Sequence, residues 1–276
     1  MPSDESHPAR PSTYGAVTIG VLGGAVGGLL GGGSGVFFVP VLDRFTNLPR
    51  PVLHGTSTTA NIAVSVVGAT VYALAGGAMD LRVGIGFMIG GILGGLLSAG
   101  LLARVPDRIL RILFVVIVLL TAAKFYFDAA GLNPFVGRAA LSAGLLSNLW
   151  GFVVPVTCVA GIVIGAWAAA LGLGGGLLAV PALVFLFGVD LHTAAGTSLL
   201  MFVPNTVVGA VMHLRKGTAS RALSRWLSLG ALPGTVAGAL FALALSSVVL
   251  GVVFGTFALL IGIREIAHLV QLRRRY

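Results

Sequence analysis

Polar residues in this chain fall in short clusters, and between them the sequence runs apolar over stretches of roughly membrane-spanning length. The apolar runs do not alternate with polar positions, as the strands of a membrane barrel must, so the pattern predicts helices. In the first half the segments are 15–31, 35–47, 53–75, 81–103 and 108–127; in the second they are 148–171, 175–187, 192–213, 222–244 and 248–268. Two of these are short. Segments 35–47 and 175–187 would each extend about 20 Å as helices, against a hydrocarbon core of about 30 Å. Each follows a glycine-rich break, "LGGGSGVFFVP" at 30–40 and "LGLGGGLLAVP" at 171–181. The favoured reading is a half-membrane helix that meets its predecessor at the break. The alternative is a tilted, shortened span.

The two breaks belong to a longer internal repeat. At one constant offset Gly31, Gly33, Gly35, Val39, Pro40 and Leu42 align with Gly172, Gly174, Gly176, Val180, Pro181 and Leu183. Without a gap, Gly55-Thr56-Ser57 then meets Gly196-Thr197-Ser198, and "VVGA" at 66–69 meets "VVGA" at 207–210. After a three-residue slip, Gly86, Gly90 and Gly94 align with Gly230, Gly234 and Gly238. The chain therefore divides into a polar N-terminal segment (1–14), a first transmembrane repeat (15–130), a linker (131–147), a second repeat (148–270) and a basic tail (271–276).

Composition agrees with a membrane protein. Of the 276 residues 57% are hydrophobic and 9% charged, where a soluble domain carries about 25% charged residues. Mean hydropathy is +1.04. The net charge of +9 does not point to nucleic acid, because the basic residues sit in loops between apolar segments. Placing the N-terminus, 43–52, 104–111, 214–225 and the C-terminal tail in the cytoplasm leaves only Arg82, Lys124 and Arg138 of the 17 Lys and Arg residues outside. That assignment puts the loop at 43–52 inside and its counterpart at 188–192 outside, so the repeats are expected to be inverted. The expected fold is an all-α integral membrane protein with two inverted-topology repeats of about five helical segments. Inverted repeats are a transporter architecture.

A broken helix inside a membrane leaves backbone N–H groups that need partners, and a helix starting there offers a positive dipole end to an anion. Gly33, Ser34 and Gly35 in the first repeat, and Gly174, Gly175 and Gly176 in the second, are the candidates for such a site. Thr56, Ser57, Thr197 and Ser198 are candidate hydroxyl ligands, with helix capping as their structural alternative. Asn61 and Asn205 are candidate amide ligands, with helix–helix hydrogen bonding equally open. The four-spaced glycines at 86–94 and 230–238 suit close helix packing, within one chain or across a dimer. No carboxylate falls in the middle of a segment, where a cation pump keeps one. The single cysteine, Cys158, offers neither a disulfide framework nor a metal cluster. No catalytic residue, metal or cofactor is expected.

Two other classes compete with a carrier. Half-helices meeting at mid-membrane also line channels, so a passive anion channel stays open. Gly32-Gly33-Ser34-Gly35 resembles the G-x-S-G nucleophile motif of rhomboid-type intramembrane proteases. That chemistry needs a histidine base on a neighbouring helix, and none sits at a matching depth.

The stretch "GLGGGLLAVPALVFLFGVDLHTAAGTSLL", followed by "GAVMHLRKG", resembles the repeat motif of the TauE/SafE family of membrane permeases, and both repeats carry it, from about 15 to 270. The resemblance implies export of sulfite, an organosulfonate or another small organic anion across the bacterial cytoplasmic (inner) membrane. The partners it implies are that anion and the lipid bilayer, and both termini are expected in the cytoplasm. The first repeat departs from the second at Ser34, where the second has Gly175, and at His54, where it has Ala195. The two halves are thus chemically unequal.

Overall fold

The computed structural model describes residues 12–101, 106–132, 148–171 and 175–273. Gly174, residues 1–11 of the N-terminal segment, 133–147 of the linker and 274–276 of the tail lie outside the described residues. Every described element is helical: α1 (Thr13–Leu29), α2 (Gly35–Phe45), α3 (Arg50–Val71), α4 (Leu81–Leu101), α5 (Asp107–Ala129), α6 (Val154–Leu171), α7 (Gly176–Phe187), α8 (Leu191–Arg215), α9 (Arg221–Ala244) and α10 (Ser247–Arg273). Short π-helical turns extend α3 through Tyr72–Gly76 and precede α6 at Leu149–Val153. Among the described residues six helical spans are long and apolar enough to cross a membrane. The segments read from hydropathy are all present. The main difference is α10, which continues to Arg273.

Local chemistry explains the ends. Ser12 and Asp190 cap α1 and α8, their side chains accepting the amides of Gly15 and Thr193 at 3.1 Å each. Gly31, Gly32 and Gly33 have φ of 71°, 102° and 82°, so α1 stops in three consecutive left-handed residues. Only glycine adopts such a run without strain. The chain then turns straight into α2, whose 11 residues would extend about 16 Å. On the other side, α7 has 12 residues and ends at left-handed Gly188.

The packing is organised in pairs. α3 and α8 lie together at the centre and run antiparallel, with Gly68 against Leu199, Gly209 against Thr58 and Gly196 against Tyr72. α9 flanks α3 and pairs with α1; α4 flanks α8 and pairs with α6. Both outer pairs are parallel: Gly230, Gly234 and Gly238 face Val17, Val21 and Ala25, while Gly90 and Gly94 face Cys158 and Ile162. A Cβ on Gly90 would lie 1.9 Å from the Cys158 carbonyl oxygen, so these helices touch backbone to backbone. The short α2 and α7 rest on α3 and α8. α5 and α10 form a further antiparallel pair, joined by Arg111–Glu265 at 3.0 Å, with Glu265 buried in the interface.

Gly90 faces Cys158 as Gly230 faces Val17, and Gly94 faces Ile162 as Gly234 faces Val21. The packing therefore equates Gly90 with Gly230 and Gly94 with Gly234, one helical turn away from the alignment obtained by the three-residue slip. A four-residue glycine ladder maps onto itself when moved by about one turn, so sequence matching has no means of choosing between the registers. Gly90→Val should lower the unfolding midpoint in detergent by roughly 5–10 °C through backbone overpacking. Gly95→Ala, whose Cβ would meet nothing within 4 Å, should leave it unchanged.

Candidate functional site

Both glycine breaks come to the same place. Gly176, at the start of α7, packs on the first break so closely that a Cβ there would stand 2.4 Å from the Gly32 carbonyl carbon. Ser34 and Gly175 occupy the position immediately before α2 and α7 respectively. The N-terminal ends of the two short helices therefore face each other across the centre of the molecule. The amides of Ser34, Gly35, Gly176 and Leu177 have no backbone acceptor among the described residues. The first turn of a helix presents such N–H groups.

Between the breaks and the crossing of α3 with α8 lies a cavity of about 40 Å³. Gly32, Gly33, Ser34 and Gly175 line it from the breaks, Asn61, Val64 and Ser65 from α3, and Leu199, Phe202 and Thr206 from α8. All of these residues are neutral. Ser34 is fully buried and donates its hydroxyl to the Asn61 side-chain oxygen. Ser65 and Thr206 join their hydroxyls across the cavity at 3.2 Å, and they are 141 residues apart, the offset of the repeat. Positions one repeat offset apart in the sequence thus meet at the cavity.

The candidate residues separate into two groups. Gly33, Ser34, Asn61 and Gly175 line the cavity, and Gly35 and Gly176 form the first residues of the short helices beside it. Thr56, Ser57, Thr197, Ser198 and Asn205 do not line it. Thr56 Oγ1 accepts the Ser220 amide at 3.0 Å, and Thr197 Oγ1 accepts the Asp80 amide at 2.8 Å. Ser57 and Ser198 are buried with unpartnered hydroxyls. The Asn205 amide, also unpartnered, points to Gly91 of α4. Ser65 and Thr206 are cavity residues that motif reading passed over. A signal for them existed: each is the hydroxyl residue directly preceding the matched "VVGA".

The neighbour of Ser34 is an amide, and no histidine is among the residues lining the cavity. The geometry around Ser34 thus supplies hydrogen bonds rather than a general base.

Residues 2–125 and 157–274 match the family described as Sulfite exporter TauE/SafE. The chain belongs to that family. Among its relatives, it is 28% identical over 254 residues to a probable membrane transporter protein of Xylella fastidiosa (strain Temecula1), covering 90% of this chain and 93% of that one. It is 24% identical over 235 residues to the probable membrane transporter protein YunE of Bacillus subtilis, covering 79% and 82%. A second Bacillus subtilis protein, the probable membrane transporter protein YdhB, is 23% identical over 229 residues. No solved structure matches the chain. This TauE/SafE protein is a multi-pass membrane transporter, and its neutral cavity lies where its two glycine breaks meet.

Proposed function

We propose that the protein exports a small anion, sulfite or an organosulfonate, across the bacterial cytoplasmic membrane by alternating access of two inverted repeats. The observation that carries this reading is the convergence of both breaks on one small, uncharged cavity with Ser34, Asn61, Ser65 and Thr206 in its lining. Two helix N-termini bring first-turn amides and positive dipole ends to the same point. The Asn61 side-chain N–H group, its oxygen held by the Ser34 hydroxyl, supplies a further donor, while Ser65 and Thr206 donate to the Asn61 and Phe202 carbonyls of their own helices. No fixed cation lines the cavity, so an anion is held by dipoles and released without breaking a salt bridge. The cavity has room for only a few water molecules, which favours an occluded carrier over an open pore.

Export needs no carboxylate under this reading. An inside-negative potential of about 100 mV drives each negative charge outward by about 2.3 kcal/mol. Geometry and charge together support one orientation. The starts of α1, α3 and α9 gather at one end with Arg50, Arg215, Lys216 and Arg221, and the starts of α4, α6 and α8 at the other. The positive-inside bias supports a cytoplasmic placement of the first of these ends.

Proteoliposomes loaded in parallel with sulfite, sulfoacetate, sulfate and a carboxylate test the substrate. Saturable efflux of sulfite or sulfoacetate, accelerated by an inside-negative potential, is the expected result. Ser34→Val should lower it about ten-fold while insertion is retained, because the Asn61 amide loses the buried hydrogen bond that positions it at the cavity. Equal flux of all four solutes, or wild-type flux in Ser34→Val, would sink the proposed site.

A further inference from the structure

The Gly-Thr pairs of the two repeats make the same contact at opposite ends of the α3–α8 pair. At one end a Cβ on Gly55 would lie 1.9 Å from the Thr218 carbonyl oxygen, and Thr56 Oγ1 accepts the Ser220 amide at 3.0 Å. At the other a Cβ on Gly196 would lie 2.1 Å from the Ala78 carbonyl oxygen, and Thr197 Oγ1 accepts the Asp80 amide at 2.8 Å. In each case the glycine admits a backbone carbonyl and the threonine takes the amide two residues later. The clasped segment is always the lead-in to a helix of the opposite repeat, α9 for Thr56 and α4 for Thr197. A ring closes over each glycine, His213 at Gly55 and Tyr72 at Gly196. Both threonines are fully buried.

These contacts stand on either side of the cavity. Thr56 precedes Ser65 by nine positions, and Thr197 precedes Thr206 by nine, about 13 Å along each helix. Since α3 and α8 run antiparallel, one clasp lies beyond each end of the cavity. Each ties an outer helix pair to the central one. Thr56 holds α9, with α1 packed on it, against α3; Thr197 holds α4, with α6 packed on it, against α8.

We propose that these two Gly-Thr pairs are the gate latches of the transporter, and that substrate enters and leaves as one latch opens while the other stays shut. Thr56 and Thr197 are then positioning residues for the conformational step rather than ligands of the anion. Release of Thr56 frees the α1–α9 pair and exposes the cavity toward the end carrying Arg215 and Arg221. Release of Thr197 frees the α4–α6 pair and exposes it toward the opposite end. The inference rests on the alternating-access reading but not on the identity of the substrate.

The test uses a cysteine reporter in the cavity, Val64→Cys, in the full chain with Cys158 replaced by alanine. A membrane-impermeant thiol reagent is applied from each side of vesicles of known orientation. Thr56→Val should raise labelling roughly five-fold from one side, and Thr197→Val by a similar factor from the other, each having lost one hydrogen bond. Thr56→Ser and Thr197→Ser, which keep the hydroxyl, should label like the parent. Thr→Ala replaces Thr→Val wherever the valine variant does not insert. Increased labelling from the same side in both variants, or parental labelling in both, overturns the latch assignment. Labelling needs no transported solute, so a protein that fails to carry sulfite still reports on its latches. Conversely, opposite-sided labelling without sulfite flux refutes the substrate and leaves the latches standing.

Discussion

Gly176→Ala is expected to reduce anion flux at least a hundred-fold while leaving the protein inserted in the membrane. The added Cβ would lie 2.4 Å from the Gly32 carbonyl carbon, 2.6 Å from its oxygen and 2.8 Å from the Gly33 nitrogen. All three are backbone atoms of a left-handed run that has no alternative rotamer to offer, so the breaks must move apart. Displacement of the opposed helix starts by about 1 Å weakens every hydrogen bond and dipole interaction aimed at the cavity. Misplacement on that scale costs on the order of a hundred-fold where geometry sets the rate. Gly175→Ala provides the graded comparison. Its Cβ would meet the Phe202 ring at 2.2 Å, a side chain that can turn, so a loss of about ten-fold is expected. Flux assays on purified, reconstituted variants of matched insertion check both. Wild-type flux in Gly176→Ala would mean that transport does not need the breaks to meet.

The second large effect separates the two asparagines. Asn61→Leu removes the acceptor of the buried Ser34 hydroxyl and, among the described residues, the only amide side chain lining the cavity. An orphaned buried hydroxyl costs about 1–3 kcal/mol, and loss of the amide should lower flux between ten-fold and a hundred-fold. Asn205→Leu should leave flux within about two-fold and raise thermal stability, because its buried amide has no partner to lose. Parallel flux and detergent-melting measurements decide the matter. Equal loss of flux in the two variants would place Asn205 in the transport path and undo the separation.

The flanking glycines show how far sequence reading carries. "GGGSG" at 31–35 and its echo at 172–176 stood out because consecutive glycines exceed the needs of packing, and the first break has three left-handed residues in a row. The Gly-Thr-Ser motifs stood out equally, through recurrence, yet their threonines hold backbone amides at the ends of α3 and α8 rather than facing the cavity. Recurrence in both halves reports that a contact is made twice. It does not report whether the contact is with a ligand or with the other half of the chain.

Helix positions, the short segments, the breaks and the membrane environment were determined by the sequence alone. These depend on local composition: in lipid every backbone group must be satisfied within its own helix, so apolar runs become helices and glycine runs end them. The tertiary structure decided which polar residues share the cavity. Thr56 and Ser65 lie on one helix, nine residues or about two and a half turns apart, and so point to opposite faces. Only the crossing of α3 with α8 turns Ser65 toward Thr206 and Thr56 toward Ser220. The register of the glycine ladders was fixed in the same way. Their four-residue period leaves alignments a turn apart indistinguishable, and contact with the Cys158 and Val17 backbones selects one of them.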